Sequence, residues 1–138
     1  MSAEKAKENA KRWFRQGRTD LNAALGSISA GSYEWACFQS QQAAEKALKA
    51  FWHNNNAEPW GHSIVRLIQD YPNEPDHTRL LSLLPHAKHL DKLYITTRYP
   101  DGLPDLTPSE VFTEVDAWAA VDNARTIIDW VSLTLGSD

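Results

Sequence analysis

The stretch YEWACFQSQQAAEKALKAFWHN, residues 33–54, constrains the fold more than any other part of the chain. It holds neither glycine nor proline and is rich in strong helix formers, so it is read as one long helix. Ala36, Ser40, Ala43 and Ala47 put small side chains near one side, where a neighbouring helix can approach closely. Gln39, Gln41, Gln42, Glu45, Lys46 and Lys49 cannot all face water without leaving a thin apolar face. Some of these polar groups must therefore lie between helices. There they either order the core, with Glu45 and Lys49 paired at i,i+4, or bind a ligand.

The neighbouring segments share the helical period. Across residues ~4–29, Ala6, Ala10, Trp13, Gly17, Leu21, Ala24 and Ile28 recur at spacings of three and four. Lys7, Lys11, Arg15 and Arg18 follow the same spacing on another face, as a solvated stripe or a phosphate contact. Ser32 is the expected cap of the next helix. Ser63 is expected to cap a short helix over SIVRLIQDY. A fourth helix is predicted from Asp76 to Tyr94, kinked or broken at Pro85. A last one is predicted over ~109–135, capped by Ser109, with a stripe of Val111, Val115, Trp118, Val121, Ala124, Ile128 and Val131. No strand alternation stands out. The expectation is an all-α fold: an antiparallel up-down four-helix bundle with an extra short helix, one domain over residues 1–138.

Charge and composition narrow the function. The net charge of −4 argues against broad coating of nucleic acid, although 13 of the 14 basic residues lie before residue 101. A single cysteine, Cys37, allows no disulfide framework and no Cys-based zinc site. His86 and His89, with Asp91 nearby, are half a ligand set that no second cluster completes, so neither a metal nor another cofactor is expected. No stretch approaches a membrane span, and the charged start has no apolar signal core, so a cytoplasmic protein is expected.

The helical pattern fails at YITTRYPDGLP, residues 94–104. Pro100, Asp101 and Gly102 are good turn chemistry. Arg98 beside them suits phosphate or carboxylate, and Tyr99 offers a ring for stacking. In the plainer account Arg98 pairs with a carboxylate, Asp101 or Glu45, and locks the turn on the bundle. His62 in WGHS either donates to a nucleotide phosphate, acts as an acid or base near neutral pH, or pins its loop through the backbone. Arg79 and His86 form an R-x6-H pair, and such residues cleave RNA without metal when a fold brings them together.

WACFQSQQAAEKALKAF, WGHSIVRLI and LDKLYITTRYPDGLP, in that order, resemble the second helix, the Gly-His loop and the end of the fourth helix of the HEPN family (higher eukaryotes and prokaryotes nucleotide-binding). The resemblance covers nearly the whole chain and implies a helical bundle that dimerises. It implies a nucleotide-binding module, for ATP, GTP or RNA, that partners a small nucleotidyltransferase in a toxin–antitoxin-like pair. Carried over by motif, the ligand-binding residues are Glu45, Lys46, Lys49, His62, Arg98, Tyr99 and Asp101. The alternatives are a metal-independent ribonuclease toxin using Arg79 and His86, or a purely structural interaction protein. Leu80 after Arg79 and Pro85 before His86 depart from the ribonuclease pattern, and no R-x4-6-H follows Arg98. A binding role is therefore expected ahead of an enzymatic one.

Overall fold

Three long helices carry the molecule because three segments keep the helical period unbroken over many turns. The computed structural model describes residues 2–136, and every regular element among them is helical. Helix α1 spans Ala3–Ser29 and α2 spans Tyr33–Asn54. The turn between them is closed by backbone. Gly31 adopts φ 78°, its N–H donates to the Ile28 carbonyl at 3.0 Å, and the Ser32 N–H donates to the Ser27 carbonyl at 2.8 Å. This is the glycine-terminated cap that supplies partners to the carbonyls at a helix end. The Ser32 side chain makes no capping bond, contrary to the sequence expectation; its backbone, at φ −92° and ψ 72°, is not in the extended conformation usual for a cap.

The two helices run antiparallel. Asn9 meets His53 at 3.4 Å near one end, and Ser27 meets Gln39 at 2.7 Å near the other. Between them Gly17 sits against α2, where a Cβ would lie 3.0 Å from the Ala43 carbonyl. The small face of Ala36, Ser40, Ala43 and Ala47 is buried, as its spacing predicts.

The segment predicted as one fourth helix is broken. Helix α3 spans Ile64–Gln69 and α4 spans Asp76–Leu80. A 3-10 turn at Leu81–Leu83 follows, then α5 at Leu84–Asp91, with Pro85 in its first turn, and the short α6 at Leu93–Thr96. Proline fits only where its missing N–H is not needed, so the break falls just before it.

The last helix starts later than the sequence reading has it. Pro108–Val111 forms a single separate turn, α7, and α8 spans Glu114–Leu135. Thr113, not Ser109, is the cap of α8. Its hydroxyl accepts from the Asp116 N–H at 3.2 Å, and Asp116 accepts from the Thr113 N–H at 2.9 Å. Thr107 and Glu110 make the same reciprocal pair shortly before, which is why two helix starts lie so close together. The buried stripe of α8 is accordingly Ala117, Ala120, Val121, Ala124, Ile127, Ile128 and Val131, while Val115 is 78% exposed and Trp118 is exposed too. Tyr33 reaches Glu114 at the start of both helices, and Phe51 packs on Trp130 towards the end of both, so α8 runs parallel to α2.

Gly17→Val should cost about 1–3 kcal/mol of stability, since the neighbour it strikes is backbone and cannot turn aside. Urea unfolding of the two proteins measures the difference.

Candidate functional site

The break after α6 is built by its own sequence. A helix end leaves carbonyls without partners. Here three consecutive side chains, Thr96, Thr97 and Arg98, each reach back four residues to take one. Thr96 Oγ1 donates to the Lys92 carbonyl at 2.7 Å, and Thr97 Oγ1 donates to the Leu93 carbonyl at 2.6 Å. Arg98 Nε and Nη2 donate to the Tyr94 carbonyl at 2.9 and 2.6 Å. The Tyr94 carbonyl is open to them because the Arg98 N–H turns to Ile95 instead.

The Arg98 guanidinium also lies among three rings. Its central carbon is 4.3 Å from the Phe38 centroid, 4.7 Å from that of Tyr94 and 5.2 Å from that of Tyr99. A flat, weakly hydrated cation gains from such faces. Arg98 pairs with neither Asp101 nor Glu45, the carboxylates considered from the sequence. Asp101 and Gly102 lie in a 3-10 turn, Pro100–Gly102, and Asp101 is exposed. Tyr99 is 51% exposed. Arg98 Nη1 has no acceptor among the described residues.

Glu45 anchors a second cluster from the middle of α2. It is 3% exposed. Gln41 and Gln42 donate to its Oε1 at 3.3 and 3.4 Å. Lys49 Nζ lies 2.9 Å from its Oε2, and His62 Nδ1 lies 3.3 Å from the same atom. A buried carboxylate is costly unless so surrounded. Gln41 also donates to the His62 carbonyl at 3.2 Å, so the Gly-His loop is held by backbone as well as ring. The His62 ring stacks on Tyr94, centroids 4.9 Å apart, which joins the two clusters on one tyrosine. Its side chain is 60% exposed.

The cluster continues beyond Lys49. The Lys49 ammonium sits 5.5 Å from the Trp13 centroid, and Trp13 stacks on His53 at 5.7 Å. Lys46 lies apart from Glu45 and pairs with Asp20 on α1. Of the residues singled out from the sequence, Glu45, Lys49, His62, Arg98 and Tyr99 thus form one connected group. Lys46 and Asp101 stand outside it. The sequence reading missed Phe38 and Tyr94 as members, and it gave Gln41 no partner. The i,i+4 spacing of Tyr94 and Arg98 is the available signal for Tyr94.

Arg79 is exposed and lies 3.4 Å from Asp76 on its own helix. His86 Nδ1 meets Asn123 Oδ1 at 2.8 Å. Asp91 accepts from the Ser63 hydroxyl at 2.7 Å and from the N–H groups of Ile64 and Val65 at 2.7 and 3.1 Å. It caps α3 from across the fold, and Ser63 caps the same helix through the Arg66 N–H at 3.1 Å. Among the described residues no His, Cys, Asp and Glu side chains cluster as a metal set would. Burial, with Asp116 and Glu34 adding to it, pushes the Cys37 thiol up to about 12, which leaves it unreactive at neutral pH.

A family model for the HEPN domain matches residues 10–134. The chain is similar to TT1696 from Thermus thermophilus, a solved structure: 41% identity, 90% of this chain and 96% of that one covered, TM-score 0.82. It is 25% identical over 127 residues to "Putative toxin MJ1304" of Methanocaldococcus jannaschii, covering 87% of this chain and 84% of the relative. It is 27% identical over 128 residues to human sacsin, covering 86% of this chain but only 3% of sacsin. No helix of the described residues is long and apolar enough to cross a membrane.

Burial holds the His53 imidazole below the ordinary histidine value; the Glu58 charge opposes this and Lys49 adds to it. The unfolded chain therefore binds a proton at higher pH than the folded one. The stability His53 contributes is complete above about pH 6.5, the unfolded value, and is lost as pH falls through the folded value. His53→Gln should shrink the loss of stability between pH ~7.5 and ~5.5 relative to the wild type. Thermal melts across that range, in which equal slopes would contradict the assignment, make the comparison.

Proposed function

This chain belongs to the HEPN domain family, and from that membership together with the site geometry we propose that it is a nucleotide-binding helical module. In this reading it acts as a homodimer and partners a small nucleotidyltransferase in a toxin–antitoxin-like pair. The toxin name of the Methanocaldococcus jannaschii relative supports the pair, as does the resemblance of the three sequence motifs.

The observation that carries the binding role is the shared seat of Arg98 and His62 on Tyr94. Both side chains are fixed before any ligand arrives, Arg98 by the Tyr94 carbonyl and His62 by Glu45. Each keeps an edge open. Arg98 offers Nη1 to a phosphate oxygen, and His62, whose Nδ1–H is directed at Glu45, offers Nε2–H as an imidazolium, while the exposed ring of Tyr99 is free to stack on a base. Groups held in place lose little entropy on binding. Lys49 reaches the site only through Glu45 and acts by positioning it.

ATP or GTP should bind with a dissociation constant in the millimolar range or below. His62→Ala and Tyr99→Ala should each weaken it several-fold, and Arg98→Ala should weaken it further while lowering the melting temperature. Calorimetric titration decides; no heat at millimolar nucleotide removes the reading. A fall in melting temperature for Arg98→Ala with unchanged nucleotide binding in all three variants would leave Arg98 as a purely structural lock.

A second reading, ribonuclease activity, has one observation behind it. The contact of His86 Nδ1 with Asn123 Oδ1 suits the tautomer protonated on Nδ1, which leaves Nε2 as a base, while Arg79 stands exposed on the preceding helix. Incubation of the purified protein with RNA in EDTA, beside the Arg79→Ala/His86→Ala double variant, separates the two. No cleavage by either protein is expected. Cleavage by the wild type alone would install this reading in place of the first.

A further inference from the structure

The groove between α1 and α2, on the α1 side of Lys46, adjoins the Glu45 cluster only at Trp13. It is an open surface groove of about 630 Å3, lined by Arg12, Trp13, Arg15, Gln16, Thr19 and Lys46, among others. That volume lies within the range of small-molecule sites. Its charge is lopsided: three cations line it, and the one carboxylate beside it, Asp20, lies behind the wall and offsets Lys46 alone.

What singles the groove out is the state of its two arginines. Among the described residues, neither the Arg12 nor the Arg15 guanidinium has a hydrogen-bond or ion-pair partner. The next charged groups along α1 are engaged: Arg18 reaches Ser132 at 3.3 Å and lies 4.9 Å from the Phe14 centroid, and Asp20 holds Lys46. Arg12 and Arg15 are three residues apart and so share a face, where like charges repel. The polar floor is ordered. Asp20 accepts from Gln16 Nε2 at 2.8 Å and from Lys46, so one buttress fixes two of the groove's donors. Trp13 stacks on His53, with ring centroids 5.7 Å apart.

We propose that this groove is an oligophosphate site. A chain of linked phosphates would lie along α1, bridging the Arg12 and Arg15 guanidinium groups in bidentate fashion and reaching the Lys46 ammonium, with Thr19 and Gln16 donating at its edge. The anion would relieve the repulsion between the two arginines. The proposal does not depend on nucleotide binding at Arg98, because its ligand needs no base and its residues are different.

Inorganic tripolyphosphate, titrated by calorimetry into the full-length protein at physiological salt, tests it. One binding event is expected that weakens roughly tenfold or more in Arg12→Gln/Arg15→Gln. That double variant should melt no lower than the wild type in the absence of ligand. Thr19→Asp, which leaves both arginines in place and adds a carboxylate to the groove, should weaken binding to a similar degree. ATP binding this groove more tightly than tripolyphosphate would identify the ligand as a nucleotide, and equal affinity would identify the phosphate chain alone; both sustain the site. Three results overturn it: no binding at millimolar tripolyphosphate, binding unchanged in both groove variants, or an equal loss in Arg66→Gln/Lys88→Gln, which removes the same charge far from the groove.

Discussion

The contact on which the rest depends is the close approach of α1 and α2 at Gly17. The Ala43 carbonyl stands where any larger residue would need room, and the alanines of α2 let α1 come that near. With α1 on one side and α8 on another, α2 is enclosed along most of its length, including at Gln41, Glu45, Lys49 and His53. Polar side chains that a half-exposed helix would turn to water must here find partners inside. No buried side-chain nitrogen or oxygen among the described residues is left without one. The polar network around Glu45 is therefore a consequence of how tightly the first two helices pack.

That enclosure decides what the Gly-His loop does. Glu45 has two oxygens to satisfy, and α2 alone supplies only Gln41, Gln42 and Lys49. His62 completes the set and is thereby held against Tyr94. A loop that would otherwise move is tied at its ring, at its carbonyl and, through Ser63 and Asp91, at the helix it introduces. Three separate segments, α2, the loop and α5, are fixed by polar bonds where apolar packing gives no directional preference. Directional bonds set positions in a way that apolar burial does not.

The long helices are legible in the sequence because period and propensity agree over many turns, so a local ambiguity does not change the outcome. Ser63 is legible as a cap because its partner, the Arg66 N–H, is three residues away. Ser32 and Ser109 mislead because a better local device stands within a few residues. A glycine at positive φ closes α1 with backbone alone, and Thr113 has Asp116 to complete a reciprocal cap. Pro85 marks its break correctly. The roles of Asp91 and of Phe38 cannot be read from the chain at all. Asp91 caps a helix that begins 27 residues earlier, and Phe38 meets Arg98 from a different helix, so neither contact leaves a spacing to find. For Arg98 the sequence offers carboxylates as partners, whereas the fold supplies a carbonyl and three rings.

That outcome for Arg98 shows how one residue can fasten a helix end and still present a charge, as the proposed binding role requires. A lysine at this place would bring one charge and no plane, so it could take the Tyr94 carbonyl but not lie flat among Phe38, Tyr94 and Tyr99. The guanidinium has five N–H groups in a fixed fork, and the helix end consumes two of them, one on Nε and one on Nη2. The same rigid fork that closes α6 therefore sets the direction of the remaining Nη1. Aromatic faces on the cation lower its exposure without neutralising it, which strengthens any later contact with an anion. A turn built in this way does not have to choose between fastening the bundle and presenting a charge, because fastening the arginine is what aims it.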